Sequence, residues 1–412
     1  MGPACIVTVR ERHLVRLEMK SKGLVVLLTA MVAIGPVSTD LYLPSLPAVM
    51  RAFNADVASA QLTLSAFMAG FGMMMLVYGP LSDRFGRRPV LLAGMLLYSL
   101  ASIFCLFVPT IDMLILGRFL QAVGAACGPV LGRAVVRDVY GREGSARVLS
   151  YMASAMALAP AAAPILGGFL ETWFGWRSNF IALMGFGSAM LLALFALLPE
   201  TNQHRDPEAL APYRLLGNLL SLLKNRRFMG YTLTMSFSFA ALFSFISGSA
   251  FVLIDVLGVA PGNFGFCFAA VVAGYMGGSL TAGRFTLRLG LDRMIGLGAL
   301  LGAGAGLLLT ALAIWGPAHW AGVVFPVSLL FFSVGLVLPN ASAGAIGPFP
   351  QMAGAASSLL GFLQTGIGAL AGVLAGHLHN GTAVPMAVII LAMAVACPLT
   401  YGLLIARDRS NR

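Results

Sequence analysis

Twelve times along the 412-residue chain a run of 20 to 26 mostly apolar residues recurs, at 24–46, 58–81, 89–108, 112–134, 146–170, 176–198, 228–253, 263–287, 292–315, 319–341, 353–378 and 383–405. About 20 such residues are what a helix needs to cross a bilayer. The runs are too long and too unpatterned for barrel strands, which alternate in polarity. Only helices and closed barrels satisfy their own backbone in lipid. The predicted fold is therefore an all-α membrane protein of twelve transmembrane helices. Composition agrees. Apolar residues make up 59% and charged residues 10%, where soluble domains carry about 25% charged. This excludes a soluble enzyme, a disordered chain and a nucleic-acid binder.

The basic residues predict the orientation. With the N-terminus in the cytoplasm, 23 of the 26 Lys and Arg fall in cytoplasmic segments, Arg51 and Arg177 fall outside, and Arg118 lies within a span. That is the positive-inside distribution, with both termini cytoplasmic, and it explains the formal charge of +11 without a polyanion partner. The longest polar stretch, 199–227, divides the chain into six spans and six. It predicts a cytoplasmic segment at 1–22, a six-helix bundle at 23–198, a cytoplasmic linker at 199–227, a second bundle at 228–406 and a tail at 407–412. Halves of equal span count suggest two pseudo-symmetric bundles around a central cavity. Gly79-Pro-Leu-Ser-Asp-Arg-Phe after span 2 is echoed by Gly278-Ser-Leu-Thr-Ala-Gly-Arg-Phe after span 8. The five cysteines form no CxxC pair, so neither a disulfide nor a metal site is expected.

Of 15 acids, Asp40 is the one placed inside a span. An ionisable group there costs roughly 2.5–3.5 kcal/mol even on the lenient insertion scale and usually faces a wet cavity. Asp40 lies about 24 Å from the cytoplasmic end of span 1, and Arg118 about 21 Å from the same face, at about 1.5 Å per residue. The lone acid and the lone deep base share a depth. This suggests a proton carrier and its regulator. Burial and a neighbouring guanidinium act on a carboxyl in opposite senses, so proton exchange requires Arg118 to approach Asp40 in one state and leave it in another. Pro44 is expected to break or bend the end of span 1. A structural ion pair is the alternative.

The loop Gly79-Pro-Leu-Ser-Asp-Arg-Phe-Gly-Arg-Arg-Pro89 resembles the signature of the major facilitator superfamily. Gly79 is expected to let two helices approach closely, Gly86 to permit the tight turn, and Asp83 to face a helix N-terminus or a basic partner. The resemblance implies that Asp83, with Arg84, Arg87, Arg88 and Asp138, forms a cytoplasmic gate, Asp83 capping the start of the eleventh helix. Arg118-Phe-Leu-Gln121-Ala-Val-Gly124 resembles the family's fourth-helix motif, whose arginine is linked to proton coupling, with Ala122 where the pattern often has Gly. Pro160-Ala-Ala-Ala-Pro164-Ile-Leu-Gly167-Gly168 resembles its antiporter motif, with Ala163 in place of the first glycine. Ser38-Thr-Asp40-Leu-Tyr42-Leu-Pro44-Ser-Leu-Pro47 and Arg133-Ala-Val-Val-Arg137-Asp138-Val-Tyr140 together resemble the Bcr/CflA group of drug efflux transporters, as does Leu198-Pro-Glu-Thr201.

The resemblance implies a monomeric drug–proton antiporter of the bacterial inner membrane. It would be driven by the proton gradient without a cofactor, and its partners would be the lipid bilayer, protons and a small-molecule substrate. A proton-linked transporter of a specific metabolite would use the same acid and arginine. An enzyme or receptor is disfavoured: the spans hold no paired carboxylates, no HExxH and no Ser-His constellation, and no polar stretch is long enough for a sensor domain. Candidate cavity linings are Tyr42, Gln121, Phe237, Asn340 and Gln364, with Met68, Met235, Phe239 and Phe362, because aromatic, Met and isolated polar groups suit varied apolar ligands.

Overall fold

The computed structural model describes residues 22–203, 205–316 and 319–406. The expected terminal segments, 1–22 and 407–412, lie outside them except for Lys22. Among the described residues the chain is helical, with no strand. Span 1 is broken into α1 (Lys22–Val32), α2 (Ile34–Asp40), a 3-10 turn (Leu43–Ser45) and α3 (Leu46–Ala52). Then come α4 (Val57–Phe85), α5 (Arg87–Phe107), α6 (Ile111–Ala125), α7 (Cys127–Phe174) and α8 (Arg177–Leu197), followed by the amphipathic linker helix α9 (Pro212–Lys224). The second half holds α10 (Arg226–Ala250), extended by a π-helical turn at Phe251–Val256, then α11 (Pro261–Leu289), α12 (Leu291–Trp315), α13 (Ala321–Ile346), α14 (Ala353–His377) and α15 (Val384–Tyr401).

Among the described residues ten helices are long and apolar enough to cross a membrane, and the bent pair at the start makes an eleventh. The predicted stretch 146–170 is carried by the second limb of α7, which turns at Gly141 (φ 67°, ψ −171°). The first break in span 1 comes earlier than Pro44. The axis bends by 48° between Val32 and Ile34, where Pro36 has no N–H to give the Val32 carbonyl and its ring crowds that group. The second break, the 3-10 turn, is the one expected at Pro44.

The halves meet along two seams, α4 against α14 and the second limb of α7 against α11. Small residues set these distances. A Cβ on Gly376 would meet Ala58 Cα at 3.1 Å, one on Gly361 would strike Met75, and one on Gly168 would strike the Pro261 backbone. Gly79 does not follow the expectation: a Cβ there would meet nothing within 4 Å, so that glycine brings no helix close. The basic loops lie at one face of the bundle. Toward the opposite face, Arg51 Nη1 donates to Asp255 Oδ1 (3.1 Å) and Ser247 Oγ donates to Gln61 Oε1 (3.3 Å), joining the halves.

Candidate functional site

Asp40 is the last residue of α2, at the break in span 1, and is buried. Its carboxylate accepts a hydrogen bond from Thr39 Oγ1 (3.3 Å). Arg118, on α6, is fully buried and does not pair with it. Its Nη2 donates to the Ser38 carbonyl (3.0 Å), and its Nη1 donates to Gln121 Oε1, one turn on. Three rings close around the guanidinium, with centroids 4.5 Å (Phe67), 4.8 Å (Tyr42) and 5.9 Å (Phe180) from it. Each such contact contributes about 0.5–2 kcal/mol. Gln121 Nε2 donates in turn to Ser102 Oγ (2.8 Å), and the Ser38 and Tyr98 hydroxyls share a bond of 2.7 Å. Acid and base thus share a neighbourhood, joined through Ser38, but form no ion pair in this arrangement.

The antiporter-motif helix packs on this site. A Cβ on Gly167 would strike the Leu41 backbone, next to Asp40, while the adjacent Gly168 faces α11 of the other half. Pro160 and Pro164 lie inside α7 just before them. The motif therefore joins the broken helix to the seam between the halves.

At the basic face Arg87 is the hub. Its Nη1 donates to Asp83 Oδ1 (2.6 Å) and to Ser82 Oγ (2.5 Å), and its Nε donates to Asp138 Oδ2 (3.2 Å). Asp83 thus takes a basic partner. At this face the start of α5 is capped by a different carboxylate, Glu200, which accepts from the Arg87 and Arg88 amides (2.9 and 3.2 Å). This satisfies backbone donors that Gly86, with no side chain, leaves bare. No hydrogen bond joins Asp83 to the start of α14, where the resemblance had placed it as a cap. Gly86 makes the predicted turn at φ 102°, ψ 156°. Gly290 repeats that geometry before α12, at φ 82°, ψ 156°, so the echo between the halves is geometric. Arg84 is exposed over Phe85, and Arg88 reaches the Phe195 carbonyl (2.9 Å).

The proposed cavity residues scatter. Tyr42 and Gln121 belong to the Arg118 cage. Asn340 is turned into the α11–α13 contact, where Thr286 Oγ1 donates to its Oδ1 (2.8 Å) and its own amide donates to Leu336 (2.7 Å). Phe237 is partly buried, against a cluster made mostly by the second half. Gln364 is half-buried and makes no side-chain hydrogen bond. Phe362 alone of the candidates lines an apolar cleft of about 380 Å³ between α4 and α14. Sequence reasoning missed Asp292, buried at the start of α12, which accepts from the Tyr231 hydroxyl (2.7 Å). Its signal was Gly290-Leu-Asp-Arg293, the counterpart of the Gly86 turn.

Small-residue seams between two halves, a broken first helix and a buried acid and arginine at its break define a multi-pass membrane transporter rather than an enzyme. The profile of the Major Facilitator Superfamily matches residues 27–373, and the chain belongs to that superfamily. It is 32% identical to the bicyclomycin resistance protein homolog of Haemophilus influenzae, over 92% of this chain and 94% of that protein. It is 30% identical to multidrug resistance protein D of Escherichia coli, over 86% and 89%. Both agree with the Bcr/CflA resemblance. The fold is also that of the nucleoside transporter NupG, with a TM-score of 0.73 and 13% identity over 93% of this chain and 99% of that one.

Proposed function

We propose that the protein exports small, mostly apolar toxic compounds in exchange for protons, by alternating access, across the bacterial inner membrane. It works as a monomer with the basic face and both termini in the cytoplasm, drawing on the proton gradient and no cofactor. The observation that carries this reading is Asp40: a carboxyl buried at the break of span 1 that no cation engages. A carboxyl locked onto a guanidinium would stay ionised and could not exchange protons. Arg118 is instead parked on Ser38, Gln121 and three rings, one residue pair away. The names of the two curated relatives support the substrate class.

In this cycle Asp40 takes a proton while open to the outside and gives it up to the cytoplasm. Arg118, moving with the Ser38 segment, approaches the bare carboxylate and stabilises it until the drug has left. The arrangement described above, joined by Arg51–Asp255 and Gln61–Ser247 at the outer face, is the one sealed to the outside. The Asp83–Arg87–Asp138 group acts as the cytoplasmic latch, and Gln364 and Phe237 are offered to the substrate.

The test is Asp40→Asn in vesicles with an imposed pH gradient. Asparagine keeps the size but cannot ionise. Drug binding survives, whereas proton release on drug addition and uphill export are lost. Wild-type proton release and uphill export by this variant would remove Asp40 as the carrier.

A further inference from the structure

A second carboxyl group sits at the outer end of the bundle, in a polar seam that the cycle above leaves unused. Glu171 lies one residue beyond the apolar stretch 146–170 and is half-buried. Its Oε2 accepts from Ser45 Oγ (2.8 Å), and Ser45 Oγ accepts from Asn179 Nδ2 (2.6 Å). Ser45 and Asn179 are fully buried, and Asn179 Oδ1 has no hydrogen-bond partner. The seam is thus one donor short for its acceptors, and a protonated Glu171 adds one.

The seam joins three elements of the first half, the 3-10 turn after α2, the end of α7 and the start of α8, and lies where α7 meets α11 of the other half: Gly168 packs on Pro261 and Thr172 faces Gly262. Each also touches the coupling site. Gly167, one turn before Glu171, packs on Leu41, and Phe180, next to Asn179, is a ring of the Arg118 cage. Ser45 follows Asp40 by five residues.

We propose that Glu171 is a second proton-binding residue of the transport reaction, taking its proton from the external water and holding the outer face closed while protonated. The assignment rests on the alternating-access reading but not on Asp40 as carrier.

The sign follows from the surroundings. Burial holds the Glu171 carboxyl above the ordinary carboxylate range, against the opposing pulls of the Ser45 hydroxyl and of Arg51. Arg51 acts on it from α3 while bound to Asp255. Arg177, on α8, is turned away, donating to the Leu106 carbonyl (3.2 Å) and lying on the Trp176 ring (4.3 Å). From α11, Pro261 and Gly262 face this end of α7 and carry no charge. His379 is held below its ordinary range by burial, against the pull of Asp255. A carboxyl that binds its proton more tightly in the closed arrangement than in water favours closure while protonated. That preference is complete at low external pH and fades as pH rises through the closed-state value. External acid therefore seals the outer face, which is the direction proton-driven export requires.

The experiment uses the full chain in nanodiscs, its native cysteines replaced, with spin labels on Ala52→Cys and Ala260→Cys, exposed positions at the outer ends of the two halves. The fraction of long distances is read from pH 5 to 8. In the parent it rises with pH. Glu171→Gln abolishes the rise and stays short. Ser45→Ala, which removes a bond favouring the charged form, moves the midpoint up by about one unit, a tenfold tighter proton. Asp40→Asn and His379→Gln keep the rise. A Glu171→Gln curve that follows the parent overturns the proposal, as does a Ser45→Ala midpoint that stays put or a rise that Asp40→Asn or His379→Gln abolishes. If the parent distance responds to neither pH nor drug, the alternating-access reading itself fails.

Discussion

Arg118 heads the large side chains that are fully buried, and its charge is met by a carbonyl, an amide and three rings rather than by an anion. The planar guanidinium stacks on those faces while its Nη atoms donate sideways, which a lysine ammonium cannot do. Arg118→Lys is expected to cost about 1–3 kcal/mol, measured as a lowered unfolding midpoint in detergent, and to uncouple export from the pH gradient. Tyr42→Phe separates the ring from the hydroxyl, which shares a bond of 3.2 Å with Thr63. It should keep uncoupler-sensitive dye efflux near wild type, whereas Tyr42→Ala should lose it. Equal loss in both variants would show that the hydroxyl, not the ring, matters. The glycines of the signature loop divide in the same way. Gly86→Ala forces a side chain into a conformation open mainly to glycine, at about 1–3 kcal/mol, and toward Glu200. Gly79→Ala meets open space and should leave both abundance and efflux unchanged.

Span 1 is an element built to bend. Pro36 and Pro44 interrupt it on either side of Asp40, so its middle segment is held by neighbours rather than by a continuous ladder of hydrogen bonds. Irregular backbone at membrane depth is tolerated where protein or a cavity covers it, and here α7 supplies the cover through Gly167. Gly167→Ala would push α7 off the Leu41 backbone. Drug-stimulated proton release should fall at least about tenfold, the effect of roughly 1.4 kcal/mol on a conformational equilibrium, while the chain still inserts. At the other end of the first half, the Arg87 contacts are partly exposed, with Asp83 at 47%, and such pairs add at most about 1 kcal/mol to stability. Arg87→Ala should therefore hardly move the unfolding midpoint yet strongly reduce transport, and more so than Asp83→Ala, because Arg87 holds both acids. Equal transport in wild type and Arg87→Ala at matched abundance would end the latch assignment.

For the whole molecule, what matters is where the halves are joined. Arg51–Asp255 and Gln61–Ser247 tie them near the face opposite the basic loops, beside seams of glycine against backbone. A short bis-thiosulfonate linker between Arg51→Cys and Asp255→Cys should hold this closure and arrest export, with recovery on reduction. Unimpeded export by the linked protein would mean that the outer face does not open there.

The run of apolar stretches, the skewed basic residues and the lone acid at the depth of the lone base were enough to establish a helical membrane protein and to single out Asp40 and Arg118, while the resemblance to the superfamily rested on the Gly79–Pro89 loop and the motifs of spans 4 and 5. Those conclusions rest on local costs, the price of an unbonded backbone or a charge in lipid, and each is paid residue by residue. What only the tertiary structure decided is who meets whom. Arg118 and Asp40 are neighbours without being a pair, because Ser38, Gln121 and three rings from three spans engage the guanidinium instead. Glu200 caps α5 from 113 positions away, and Asn340 serves a helix contact rather than a cavity. Such partnerships depend on the rotation of each helix about its axis. An apolar run in lipid leaves that rotation undetermined, because nearly every face of it is equally greasy, and the fit of small residues against neighbouring backbones settles it instead.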